Sequence, residues 1–172
     1  MSQAKKASVL EIRLAGPDDS ETIAGLIHAA FAPFESEYTP DAFAYTTPKA
    51  DVIRPRFGEG PIWIAEVDGK AVGTVSGMRD GDRFYIRSMA INPTAQRGGI
   101  GQRLLDTFDA YARENGFEKI YLYTTLVLPG AKHMYEKNGF YVLRETAPEE
   151  WFDMGGLEME KDLSEPGAVA TG

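Results

Sequence analysis

No cysteine occurs anywhere in the chain. That excludes disulfide scaffolds, cysteine-rich zinc sites and a cysteine nucleophile. It agrees with a reducing compartment, and the cytoplasm is the expected location. Histidine is nearly as scarce: His28 and His133 are the whole supply. A histidine-dominated metal site is not expected from two residues, and no metal is assigned. No apolar run approaches the roughly 20 residues of a membrane span, so no membrane partner is expected. The opening Met1-Ser2-Gln3-Ala4-Lys5-Lys6 has no apolar core and does not read as a secretory signal. Positive charge is in deficit, with 18 Lys and Arg against 26 Asp and Glu, a net charge of −8. An acidic surface argues against general nucleic-acid binding, which needs a basic face. It agrees with a cationic substrate such as an amine, although solubility alone also explains it.

What is present is enough for one domain with a real core: 172 residues, 43% of them apolar. The stretch Gln96-Arg97-Gly98-Gly99-Ile100-Gly101 organises it. Before this stretch runs Phe84 to Ile91, rich in aromatic and branched residues, which reads as a strand broken by Asn92-Pro93-Thr94. After it, Leu104, Leu105, Phe108, Tyr111 and Ala112 fall at helical spacing. The first-turn amides of a helix lack internal partners, and the helix dipole adds positive character there. Glycines admit positive φ and close approach of a ligand. A strand, a glycine loop and a helix therefore suit a phosphate or pyrophosphate, with Arg97 and Arg103 adding charge at the rim. No Gly-Lys-Ser/Thr follows, which excludes a Walker A loop, and glycines at 98, 99 and 101 do not fit G-x-G-x-x-G.

In chain order, residues 1–8 read as a flexible N-terminus and Val9 to Leu14 as a strand. Ser20 or Asp18 caps a first helix carrying Ile23, Leu26, Ile27, Ala30 and Phe31. Residues 32–60 mix aromatic and acidic side chains. They read as a variable loop with short helices near Asp41 to Tyr45 and Ala50 to Phe57. Pro61 to Val67, Ala71 to Met78 and Arg83 to Ile91 form an antiparallel meander through Asp68-Gly69-Lys70 and Arg79-Asp80-Gly81-Asp82. A helix over 100–115 leads to a strand at Lys119 to Val127, so strands 83–91 and 119–127 are expected to be parallel. A short helix at Ala131 to Lys137 and strands at Phe140 to Arg144 and Leu157 to Leu163 follow. Residues 164–172 read as a flexible tail, leaving 9–163 as a single domain.

Gln96, Gly99 and Gly101 fit Gln/Arg-x-x-Gly-x-Gly/Ala, and the element order is β-α-(α)-β-β-β-α-β-α-β-β. Ser88 to Pro93, Ala131 to Phe140 (AKHMYEKNGF) and Leu157 to Lys161 match further stretches. Together these resemble the GCN5-related N-acetyltransferase (GNAT) superfamily across roughly residues 9–163. The resemblance implies an α/β (α+β) fold. It would have a mixed, mostly antiparallel central sheet, a parallel splayed pair at the acyl-CoA site and helices on both faces. It implies acetyl-CoA as co-substrate, held by Met89, Ala90 and Ile91 along the strand. Gln96, Arg97, Gly98, Gly99, Ile100, Gly101 and Gln102 would hold its pyrophosphate. It implies a primary amine as acceptor and places Tyr135 as the catalytic acid. A homodimer is the default assembly.

Elementary chemistry runs beside this resemblance. An alkylamine with a pKa near ~10.4 must lose a proton before it attacks a thioester. The oxyanion needs a donor, such as a backbone amide. The departing thiolate benefits from a proton, which a phenol can supply. Many family members carry a glutamate where this chain has Tyr85, and an asparagine where it has Val127-Leu128-Pro129. The base is left among Glu35, Glu66, Asp80, Asp82, His133 and water. Glu35, Glu37 and Asp41, among aromatics, point toward a pocket for a cationic small molecule. Two other readings stay open: an acyl-CoA-binding protein without catalysis, and an unrelated phosphate-binding fold.

Overall fold

In the chain's computed structural model, residues 8–95 and 98–163 are described. The two expected flexible ends, Ser8 apart, lie outside these residues, as do Gln96 and Arg97.

The strands are β1 (Leu10–Leu14), β2 (Ile62–Val67), β3 (Lys70–Asp80), β4 (Arg83–Ile91), β5 (Lys119–Thr125), β6 (Tyr141–Thr146) and β7 (Gly156–Asp162). The helices are α1 (Ser20–Phe31), α2 (Pro40–Thr46), α3 (Ala50–Ile53), α4 (Ile100–Glu114) and α5 (Ala131–Lys137). Short 3-10 turns cover Pro17–Asp19, Ala32–Glu37 and Arg54–Gly58. Among the described residues the strands form one sheet in the order β1-β2-β3-β4-β5-β7-β6. Every neighbouring pair is antiparallel except β4 and β5.

Alternation along β2 shows how the layers arise. Trp63 and Ala65 enter a core with Leu104, Leu105 and Phe108 of α4. Ile62 and Ile64 enter another with Ile23 and Ile27 of α1 and Ile53 of α3. Successive strand side chains point to opposite faces, so α4 covers one face and α1 with α3 the other. A third cluster joins Tyr38, Ala42 and Phe43 to Met154 of the β6–β7 connection.

Two local expectations are corrected. Neither Ser20 nor Asp18 caps α1: the Ser20 hydroxyl donates back to the Pro17 carbonyl at 2.7 Å. The 3-10 turn at Pro17–Asp19 already feeds chain into the helix, which leaves no extended capping residue. The turn after β3 is also tighter than expected. Asp80 pairs with Arg83, so Arg79 and Asp80 remain in the strand and Gly81-Asp82 alone reverse the chain.

Two irregularities in β4 position the site. Its parallel ladder with β5 has three pairs, ending at Tyr85–Tyr121. Against β3, Ser88 pairs with Ser76 and Ile86 with Gly77, which leaves Arg87 as an extra residue. Such a bulge bends its strand and resets the alternation. Accordingly Phe84 and Ile86 face α4, and so do Met89 and Ile91, whereas Ala90 faces α1. An unbulged strand would put Ala90 on the same face as Ile86.

Candidate active site

Beyond Tyr85 and Tyr121 the two strands separate, and a cleft of about 350 Å³ occupies the gap. The Asn92 amide donates to the Val72 carbonyl at 2.8 Å, toward β3. Alternate residues of a strand direct their amides the same way. Ala90 therefore also bonds toward β3, while Met89 and Ile91 direct their polar backbone groups into the gap. Those groups have no partner in the ladder, so an extended molecule could pair with them as an added strand.

Tyr135 reaches the cleft from α5. It is buried, packed edge-on to Phe140, with its hydroxyl 3.9 Å from the Met89 sulfur. Burial pushes its phenol up to about 12. It is protonated at neutral pH and competent to donate.

At the start of α4, Gly99 has φ 70°, the left-handed region that favours glycine. Its carbonyl accepts from the Arg103 amide at 3.1 Å. The amides of Ile100, Gly101 and Gln102 therefore have no helical partner and suit an anionic group. Gly101 serves a different end. A Cβ there would lie 2.9 Å from Cδ1 of Ile91, so this glycine lets the helix start pack closely on β4. Gln102 donates to Asn138 at 2.6 Å, tying α4 to the end of α5. Met89 links the parts, with its side chain between Tyr135 and the Gly101 turn.

Of the expected residues, Met89 and Tyr135 line the cleft. Ile91 packs against the helix start, and Gly98 to Gln102 lie just beyond Met89. Ala90 is turned away, its side chain in the α1 core. The candidate bases do not converge. Glu66 is bound to Arg13 at 3.0 Å, and Asp80 accepts from Tyr121 at 2.7 Å. Glu35, Asp82 and His133 are exposed, and none of the five lines the cleft. Tyr85 does line it, but burial lifts its phenol to about 12, which excludes it as a base at neutral pH. Glu37 and Asp41 are exposed as well, so this acidic segment presents its carboxylates to water.

Several lining residues carried no distinct signal in the sequence. Arg56 donates to the Ser88 hydroxyl at 3.2 Å, and Arg87 to Glu59 at 2.6 Å. Arg144 binds Glu150 at 2.9 Å, and a bond from the Ala147 amide helps hold the Glu150 carboxylate below its ordinary range. Tyr45 of α2 meets Trp151 and Phe152 of the β6–β7 connection, with centroids 6.1 and 5.4 Å away. Thr39 donates to the Phe152 carbonyl at 2.8 Å, joining the same two segments. Arg87 had a hint in the sequence, as a charge inside a central strand, and Tyr45 had one as an aromatic of the 32–60 segment read as a pocket.

A sequence profile described as the acetyltransferase (GNAT) family matches residues 23–140. The probable N-acetyltransferase camello of Xenopus tropicalis is 32% identical over 81 residues, covering 45% of this chain and 37% of its own length. The probable N-acetyltransferase family 8 member 5 of Mus musculus is 29% identical over 101 residues, covering 55% and 44%. The chain thus spans less than half the length of these relatives. Among solved structures, the PaiA N-acetyltransferase of Thermoplasma acidophilum in complex with coenzyme A superposes with a TM-score of 0.77 at 17% identity, over 90% of this chain and 99% of that one. The ribosomal-protein-S18-alanine N-acetyltransferase of Escherichia coli gives 0.77 at 15%, over 95% and 100%. At such identities the superpositions establish the fold alone.

Proposed function

The chain belongs to the acetyltransferase (GNAT) family, and on that premise we propose that it moves an acetyl group from acetyl-CoA to a primary amine by direct attack in a ternary complex. The protonated phenol of Tyr135, set in the gap where Met89 offers unpaired backbone groups, carries this reading. The pantetheine arm of the donor pairs with Met89 and Ile91 as an added strand. Its pyrophosphate rests on the amides from Gly98 to Gln102, with Gln96 and Arg97 completing the loop. The coenzyme A bound by the PaiA protein of the same fold supports that choice of donor.

In the reaction the neutral amine attacks the thioester carbonyl carbon and a C–N bond forms. The carbonyl oxygen becomes an oxyanion held by an amide on the open edge of β4. Collapse breaks the C–S bond, and Tyr135 gives its proton to the departing thiolate. The product nitrogen loses its extra proton to water, and solvent returns one to Tyr135.

Thermal unfolding with acetyl-CoA, with ATP as control, tests the donor site. A selective rise in midpoint is expected, by roughly RT ln(1 + [L]/Kd) in free energy. Release of free thiol with a panel of amines then tests turnover. One observation favours a second reading, an acyl-CoA-binding protein without catalysis. Among the described residues, the one carboxylate lining the cleft is Glu150, already bound to Arg144, and no imidazole joins it. Selective acetyl-CoA binding without thiol release from any amine would favour that reading.

A further inference from the structure

The wall of the cleft opposite Tyr135 is cationic and aromatic. Tyr135 belongs to the core on the α4 face, whereas Arg56 reaches Ser88 from the 3-10 turn that follows α3 on the other face. The cleft joins the two through the opening in the sheet. Three arginines line it, and they differ in one respect. Arg87 is bound to Glu59 at 2.6 Å, and Arg144 to Glu150 and Glu158, each at 2.9 Å. Among the described residues Arg56 has no carboxylate within 4.0 Å. Burial and the neighbouring Arg87 push its guanidinium below the ordinary arginine range, against a weaker opposing pull that includes the Glu59 carboxylate, as for a partly desolvated cation with no carboxylate in contact. Tyr45, Tyr85, Tyr123 and Trp151 supply apolar walls nearby.

We propose that the acceptor is an amino carboxylate with an apolar body, and that Arg56 receives its carboxylate. This rests on the acyl-transfer reading above. A planar guanidinium fork matches a carboxylate in two parallel hydrogen bonds. Ser88, which accepts from Arg56, keeps its own proton free to donate to the same group. The aromatic walls take the apolar body, and the amine is left to face the thioester on the Tyr135 side. A purely cationic acceptor does not fit, because the acids at residues 35, 37 and 41 face water and Glu150 is already bound.

The test uses product analogues, so it does not depend on turnover. N-acetylphenylalanine and N-acetylphenylalanine amide are titrated into the coenzyme A-saturated protein by calorimetry, with wild type, Arg56→Gln and Arg56→Lys compared. Wild type is expected to prefer the carboxylate by roughly 10- to 100-fold, as for hydrogen bonds to charged groups. Arg56→Gln loses that preference and Arg56→Lys restores part of it, while acetyl-CoA raises the midpoint of all three proteins equally. Equal affinity for carboxylate and amide, or affinity for neither, overturns the proposal. So does a preference that survives in Arg56→Gln, and so does a loss of acetyl-CoA affinity in that variant, which would place Arg56 in the donor site. Failure of acetyl-CoA to shift even the wild-type midpoint overturns the acyl-transfer reading itself, so the two failures are distinguishable.

Discussion

The Tyr135 hydroxyl lies 3.9 Å from the sulfur of Met89, the one reaching in from α5 and the other from just past the bulge of β4. An acid at this point stands beside the strand edge where a thioester donor would pair. Burial, which keeps the phenol protonated, also removes water from around it.

Tyr135→Phe should therefore lower turnover by roughly 10²- to 10⁴-fold, the usual range for a positioned proton donor. Acetyl-CoA affinity should remain within about two-fold, because uniform binding is untouched. Steady-state kinetics and calorimetry on the same preparation check both halves. Unchanged turnover would remove Tyr135 from the reaction.

Among the described residues no unbound carboxylate or imidazole lines the cleft, so under the proposed reaction the amine is expected to arrive neutral or to lose its proton to water. kcat/KM should then rise with pH along the ionisation of the acceptor, and acceptors of lower pKa should shift the limb down by the same amount. The phenol at about 12 should impose no alkaline fall below pH ~11. A limb at one fixed pH for every amine would reveal a base supplied by the protein.

Tyr135 and Tyr85 are both raised by burial from 10.0 to about 12. The folded state thus holds protons that the unfolded chain releases from pH 10 upward. Their contribution is fully present below pH ~10 and falls away as pH rises through about 12, by about 2–3 kcal/mol each. Urea unfolding from pH 8 to 11 should show this loss, and the Tyr85→Phe, Tyr135→Phe double variant should lessen it, leaving the part carried by Tyr38, Tyr121 and Tyr141, whose phenols are raised as well. An equally steep fall in the double variant would assign the loss to other groups.

Gly99 and Gly101 should respond differently to substitution. Gly99→Val forces a branched residue into the left-handed region, costs at least about 1 kcal/mol and should weaken acetyl-CoA binding by roughly 10-fold or more. Gly101→Ala meets the far end of Ile91, so Ile91→Val in the same chain should recover most of a loss of about 1 kcal/mol. Calorimetry for the first and thermal unfolding for the second check these outcomes. Unaltered acetyl-CoA affinity in Gly99→Val would move the pyrophosphate elsewhere.

Local order was written in the chain itself. Helical spacing at Leu104, Leu105 and Phe108 marked α4, branched and aromatic runs marked β2 and β4, and Gly99 marked the turn between strand and helix. Each of these follows from neighbours a few residues apart, since periodicity and backbone freedom are local properties. The parallel pairing of β4 with β5 was also legible, because a helix between two strands leaves a crossover as the connection. Where that pairing stops was not. The extra residue at Arg87 exists only against β3, and the gap beyond Tyr85 only against β5. Arg56 meets Ser88 across 32 positions of sequence, and the carboxylates of Glu35, Glu37 and Asp41 turn to water because the aromatics beside them fill the third core. Composition suggested a pocket for a cation; tertiary packing made one lined by arginine. Burial and charge pairing depend on which distant segments share a space, and that is decided only when the sheet and its two layers close around them.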